Sequence, residues 1–249
     1  MTRVTRVSDG IICIRRASYQ TCSYMIQQPS GVTIVDAGMA SDGDDARRGL
    51  EFLGAQPADV RAILLTHWHN DHAAGAQAAH ERSGAPVCYH AADAPYFTGA
   101  RGAKGVRGAI SDAIPEWGAL VLFKGLIGEA TPVPVRAQRL VRGGDRIFDD
   151  IEVIETPGHT AGHVAFFYEP ERALFAGDAL AVIDGRIRFM ARPVTEDLAA
   201  ARTSRTTCLN RRPALLCPGH REPLVRRVEA ECDRMLTYLK EDGRWPLLG

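Results

Sequence analysis

Between residues 66 and 72 the chain reads Thr66-His67-Trp68-His69-Asn70-Asp71-His72, directly after the apolar run Ala62-Ile63-Leu64-Leu65. Three imidazoles and a carboxylate thus fall within six positions at the end of what reads as a buried strand. The fold must end that strand where several neutral nitrogens and one hard oxygen can converge on a point, a donor set that suits zinc and other borderline divalent metals. Solvation alone gives no reason to gather three of the chain's eight histidines at a strand end.

Three later segments repeat the device. A strand over 151 to 156 runs into Thr156-Pro157-Gly158-His159-Thr160-Ala161-Gly162-His163, a strand over 173 to 177 ends at Gly177-Asp178, and a strand over 213 to 217 runs into Pro218-Gly219-His220. Taken singly, His159, Asp178 and His220 serve a turn as readily as a ligand site. Beside the first loop the balance shifts, because a closed coordination sphere needs donors from remote parts of the chain. His163, four beyond His159 at the start of a strand, is expected to support or pack rather than to ligate. His80 and His90 sit in no such motif and are expected to be ordinary.

The remaining pattern places these loops. Short β-rich runs at 11 to 14, 23 to 26 and 32 to 35 read as an antiparallel meander. A helix beginning near Ser41 or Asp42, the strand 60 to 66, an Ala-rich helix from about 73 to 83 and a strand at 86 to 89 follow. The second half has strands at 151 to 156, 163 to 168 and 173 to 177, a hairpin through Asp184-Gly185, a helix near 195 to 210 and a strand at 213 to 217. Two similar halves predict an α/β architecture of two facing sheets with helices outside. The last helix, about 223 to 241, carries Val225, Val228, Cys232, Met235, Leu236 and Leu239 on one face and is expected to cover a sheet. Residues 99 to 135 break the pattern and read as an inserted flap with one or two short helices. Its apolar stretch from Ala119 to Ile127 would serve as the contact of a homodimer if the flap does not bury it.

Thirty basic and thirty acidic residues balance, so neither nucleic acid nor a membrane surface gains electrostatic support as a partner. A small-molecule substrate is expected instead. The beginning of the chain lacks the apolar core of a signal peptide, and no run of eighteen apolar residues occurs, which predicts a cytoplasmic protein. Cysteines 13, 22, 88, 208, 217 and 232 form no C-x-x-C pair, so reduced thiols are the default, with Cys217 expected to pack rather than bind metal.

On these residues the chain resembles the metallo-β-lactamase-fold hydrolases along essentially its whole length. His67, His69, Asp71 and His72 meet the H-x-H-x-D-H signature, His159, Asp178 and His220 match the later elements, and Asp36 matches an early aspartate that usually supports the site from behind the ligands. The resemblance implies an αββα sandwich forming a single domain over 1–249, with the metal site at the edge between the sheets. It also implies two Zn²⁺ ions, Mn, Fe or Co being acceptable to the same donors. His67, His69 and His159 would hold one ion and Asp71, His72 and His220 the other, with Asp178 bridging. A hydroxide shared by the two ions would be the nucleophile, and Asp71 would orient it or take its proton.

Departures from subfamily patterns narrow the substrate. β-Lactamases of this fold generally lack an aspartate at the bridging position. Glyoxalase II proteins share the Thr-Pro-Gly-His segment but carry a helical C-terminal domain, whereas 29 residues follow His220 here. Lactonases usually place a tyrosine after the bridging aspartate, and none lies between Asp178 and His220. Relatives that process transfer RNA need a basic arm. The remaining similarity is to small bacterial hydrolases with a flap after His-x-x-Asp-Ala-Pro, here His90-Ala91-Ala92-Asp93-Ala94-Pro95. Hydrolysis of a carboxylic ester, lactone or thioester is the expected reaction. The alternatives are a mononuclear-iron persulfide dioxygenase and, behind it, a β-lactamase or phosphodiesterase of the same fold.

Overall fold

A computed structural model describes residues 2–98, 133–136 and 139–241. Contacts divide the chain into two compact units, Met1–Tyr89 with Asp93–Arg139, and His90–Ala92 with Leu140–Gly249. The flap expected at 99 to 135 lies outside the described residues except for its last three positions, 133 to 135.

In the first unit, β1 (Arg3–Arg6), β2 (Ile11–Arg15), β3 (Cys22–Gln28) and β4 (Gly31–Val35) form the antiparallel meander. β5 (Val60–Leu64) and β6 (Val87–His90) then join in parallel, with Ile34 opposite Ile63 and Leu64 opposite Cys88. Parallel strands need crossovers. The first contains α1 (Asp44–Leu53), and the second contains α2 (Asn70–Ala73) and α3 (Ala76–Ser83). Ile63, Leu65, Val87 and Tyr89 are buried in one cluster with Ile34, Leu50 and Trp68. Each such aliphatic side chain contributes about 1.5–3 kcal/mol of burial, so the strand that carries the histidine loop is among the best-held elements of the unit.

Three differences from expectation have a tertiary reason. α1 starts at Asp44 because Gly43 takes a left-handed φ of 72° and donates to the Ala40 carbonyl, closing a turn first. The Ala-rich helix is broken between α2 and α3. Gly75 there donates to the Gly38 carbonyl, and a Cβ at Gly75 would lie 2.3 Å from the Ala37 oxygen. The last helix starts five residues late, because Leu216 and Leu224 exchange both backbone hydrogen bonds (3.0 and 2.8 Å) and hold the chain extended before it.

A short strand β7 (Arg139–Val141) lies where the chain leaves the first unit. The second unit has a five-stranded sheet in the order β14-β11-β10-β9-β8. Its strands are β8 (Arg146–Ile147), β9 (Ile151–Glu155), β10 (Val164–Tyr168), β11 (Ala173–Gly177) and β14 (Leu215–Pro218). β9 and β11 are both antiparallel to β10, and β14 is parallel to β11, so β9, β11 and β14 point the same way. Their C-terminal ends therefore emerge at one edge of the sheet. The expected hairpin is β12 (Ala181–Ile183) with β13 (Arg186–Arg188).

Two helices pack in this unit. In α5 (Leu198–Asn210) the Asp197 carboxylate caps the N-terminus, accepting from Ala199 N and Ala200 N at 2.9 Å each. In α6 (Val228–Glu241) the residues Val228, Cys232, Met235 and Leu239 are buried against Leu209, Leu216 and Ile187, whereas Val225, expected on this face, is exposed before the helix. All six cysteines are buried thiols outside any disulfide, Cys217 among them. Burial pushes the Cys208 thiol up to about 12 and Cys88 to about 11, which keeps both protonated at neutral pH. Among the described residues no helix is long and apolar enough to cross a membrane.

Candidate metal centre

In the first unit the histidine loop leaves the C-terminal end of β5 beside the parallel end of β4, and Asp36 links the two. It stands just past β4 with φ 58°, a left-handed conformation that aspartate tolerates better than most residues. Its N–H donates to the Leu64 carbonyl (2.8 Å), which turns its carboxylate toward the loop. That carboxylate accepts from Thr66 N (2.8 Å), from Thr66 Oγ1 (3.1 and 2.9 Å) and from His72 Nδ1 (2.9 Å). Ala37 N and Gly38 N close on the His72 carbonyl at 2.7 and 3.1 Å.

These contacts fix the imidazoles. Asp36 can only accept, so in the neutral imidazole Nδ1 of His72 carries the proton and Nε2 is the acceptor atom. The Thr66 hydroxyl gives its one proton to Asp36 and therefore accepts from Nδ1 of His67 at 3.0 Å, which bares Nε2 of His67 as well. That Nε2 faces Nδ1 of His69 at 3.1 Å, and Nε2 of His72 faces Oδ2 of Asp71 at 3.6 Å. Two donors about 2.0–2.1 Å from one tetrahedral ion lie about 3.3–3.4 Å apart. The two pairs bracket that spacing, and the donor set fits divalent metals. Thr21 Oγ1, at the end of the β2–β3 hairpin, reaches Asp71 Oδ2 at 3.5 Å.

In the second unit the strand ends at β9, β11 and β14 deliver His159, Asp178 and His220 to one place. Asp178 Oδ2 lies 3.3 Å from His159 Nε2 and 3.3 Å from His220 Nε2. His159 and Asp178 are each only 4% exposed. One carboxylate oxygen thus lies at equal distance from two imidazoles on separate loops.

Each loop is tied down by its neighbours. Gly158 has φ 133°, and a Cβ there would lie 2.3 Å from Ala201 N in α5, so only glycine lets the His159 turn approach the helix. Asp197 N donates to the Gly158 carbonyl and Ser204 Oγ to that of Pro157 (2.9 and 2.7 Å). Asp178 N donates to His163 Nε2 at 3.0 Å, which leaves the His163 proton on Nδ1, donated to Thr156 Oγ1 at 2.7 Å. Buried Arg205 donates Nε to the Ala179 carbonyl (3.0 Å) while its guanidinium lies over the Phe189 ring. Gly219 N donates to the Gly177 carbonyl (2.8 Å), joining the His220 loop to the end of β11.

Every site residue expected from the sequence thus falls in one of two sets: His67, His69, Asp71 and His72 with Asp36 behind them, and His159, Asp178 and His220 with His163 behind them. His80 is structural, its Nδ1 donating to the Ala85 carbonyl at 2.8 Å, and His90 faces Glu155. Sequence reasoning missed Thr66, Thr156 and Arg205. The two threonines each follow a strand just ahead of a histidine segment, which is a usable signal; Arg205 gives none, being one of two arginines on its helix.

The family described as metallo-beta-lactamase superfamily matches residues 18–220 of the chain. The chain belongs to that superfamily. Among curated proteins it is similar to the probable metallo-hydrolase YflN of Bacillus subtilis, 30% identical over 65% of this chain and 61% of the relative. The probable metallo-hydrolase YybB of the same organism is 24% identical over 87% of each chain. A hydroxyacylglutathione hydrolase of Methylobacterium sp. is 34% identical over 60% of this chain and 47% of its own length. The match thus spans under two thirds of YflN and about half of the latter enzyme. Among solved structures, the subclass B3 metallo-beta-lactamase MEM-A1 from a soil metagenome aligns with a TM-score of 0.65 at 21% identity, over 97% of this chain and 86% of its own. TTHA1623 in a di-iron-bound form aligns with a TM-score of 0.63 at 28% identity, over 88% and 97%. MEM-A1 at that identity shows the fold alone: α/β, of the metallo-β-lactamase type.

Proposed function

We propose that the two ligand sets together hold two divalent ions, zinc first among them, and that the chain hydrolyses a carboxylic ester, lactone or thioester. His67, His69 and His159 would hold one ion, Asp71, His72 and His220 the other, and Asp178 would bridge. The observation that carries this reading is Asp178 Oδ2 at equal distance from His159 and His220. When bound, such a pair of ions supplies an activated water at neutral pH and polarises the acyl carbonyl.

The chain's own residues do the rest. Asp36 and Thr66 hold His72 and His67 in the tautomers that leave Nε2 bare. His163 and Thr156 hold the backbone of Asp178, so that its carboxylate is presented without rearrangement. Asp71, partly exposed beside Thr21, orients the attacking water or takes its proton. Relatives named metallo-hydrolase and hydroxyacylglutathione hydrolase support carbonyl hydrolysis, thioesters included. An aspartate in the bridging role weighs against β-lactam turnover.

The test is metal content per chain in protein purified without added metal or chelator, followed by an ester, lactone and thioester panel. About two zincs per chain with turnover of one class is expected. About one iron per chain, with oxygen consumed in the presence of a glutathione persulfide, would overturn the proposal in favour of a persulfide dioxygenase. Fully metallated protein inert on the panel would overturn the substrate class.

A further inference from the structure

Trp68 separates His67 from His69, and its ring is buried at 2% exposure in the first unit's core. Trp68 is flanked in the chain by both imidazoles, so a fixed Trp68 limits where His67 and His69 can point. Two groups grip it. The carboxylate of Asp93, itself 1% exposed, accepts the Trp68 N–H at 3.2 Å. The Tyr96 ring stacks parallel to the indole, centroids 4.0 Å apart at an interplanar angle of 2°. The indole also meets His69 edge-on, with centroids 4.4 Å apart at 72°.

Asp93 and Tyr96 stand three residues apart about a single helical turn, α4 (Ala94–Phe97). Phe97 anchors that turn, packing on Tyr89 at 4.2 Å within the core cluster. A buried carboxylate is a costly group to place unless its oxygens are used, and here one of them holds the backbone between two candidate ligands.

We propose that Asp93 and Tyr96 are positioning residues for His67 and His69, acting through Trp68. The proposal rests on the metal-centre reading above. It gives the Asp-Ala-Pro segment after β6 a task distinct from substrate contact: Asp93 fixes the height of the loop backbone, and Tyr96 fixes the rotation of the indole against which His69 leans.

The experiment is a zinc titration of the full chain by competition with a chromophoric chelator. A second readout is Trp68 emission in a Trp117→Phe/Trp245→Phe background, with melting of the metal-free protein recorded alongside. Two pairs of variants separate positioning from bulk: Asp93→Leu against Asp93→Asn, which keeps an acceptor, and Tyr96→Ala against Tyr96→Phe, which keeps the stacked ring. Asp93→Leu and Tyr96→Ala are expected to weaken zinc binding about tenfold or more, with Asp93→Asn and Tyr96→Phe within about threefold of the parent. Asp93→Leu that binds like the parent, or Asp93→Asn that loses as much as Asp93→Leu, would overturn the proposal. If either disruptive variant fails to fold, the other pair decides. A parent that takes up no divalent metal would overturn the metal-centre reading and this proposal together, an outcome distinct from the others.

Discussion

Asp36 concentrates more of the candidate site's order than any residue in the signature itself. Its two oxygens receive three donor groups, Thr66 N, Thr66 Oγ1 and His72 Nδ1, and its φ of 58° is held by the same contacts. An asparagine tolerates that backbone but offers one acceptor oxygen and an NH₂ that must face donors. Asp36→Asn is therefore expected to leave the chain folded and to weaken zinc binding by about 10–100-fold, read by chelator competition; binding equal to the parent's would show that His72 needs no such partner. Asp178 differs in kind, since its oxygen is itself the candidate donor. Asp178→Ala should lower metal content from about two ions per chain to about one or less and abolish most turnover. Elemental analysis decides this, and unchanged stoichiometry removes Asp178 from the ligand set.

At the scale of elements, the shared direction of β9, β11 and β14 is what makes a site out of scattered residues, and close approach of α5 holds the first of their loops. Gly158 is where that approach is tightest. A Cβ at φ 133° would meet three Ala201 atoms at 2.3–2.5 Å, two of them backbone, so neither a rotamer change nor a small shift relieves it. Gly158→Ala should cost about 2–5 kcal/mol in urea unfolding; a cost under about 0.5 kcal/mol would mean the turn moves freely from the helix.

α6 is fastened differently, by Glu231, whose Oε2 accepts from Arg234 Nε (2.9 Å), Arg234 Nη2 (2.7 Å) and Ile187 N (3.2 Å) in the β12–β13 hairpin. Burial pushes the Glu231 carboxyl up, but Arg234, the Ile187 N–H and Arg186 outweigh it and hold the group below its ordinary range. A carboxylate depressed on folding stabilises above its unfolded pKa of about 4.3 and loses that contribution as pH falls through the folded value. Glu231→Gln should therefore be less stable than the parent at pH 7, with the gap narrowing below about pH 4. A gap independent of pH would assign the effect to packing.

At the scale of the whole chain, chemistry local in sequence was legible and close approach was not. The run from His67 to His72 announces itself because histidine and aspartate at a strand end have few other uses, and the same logic found His159, Asp178 and His220 at three more strand ends. Alternating and helical patterns located most strands and helices within a few residues. The break at Gly75 depends on the Ala37 carbonyl far along the chain, and the late start of α6 and the short strand β1 on backbone pairing with Leu216 and β2, none of which a local side-chain pattern announces. Arg205 was missed as a support because a buried charge is visible only once its surroundings are.

If the proposed reading holds, metal occupancy should govern the stability of the native chain. Ions that bind the native state alone stabilise it by about 2.7 kcal/mol per site at a hundredfold excess over Kd. Removing metal with a chelator should lower the melting temperature by several degrees, and stoichiometric zinc should restore it. Glu231→Gln, whose partners Arg186, Ile187 and Arg234 are not candidate ligands, should show the same chelator shift as the parent, while Asp178→Ala should show a smaller one. Equal shifts in Asp178→Ala and the parent would mean that the chelator acts elsewhere. A parent whose melting is indifferent to chelator would place the histidines and aspartates outside any tightly held metal site, however well their spacing fits one.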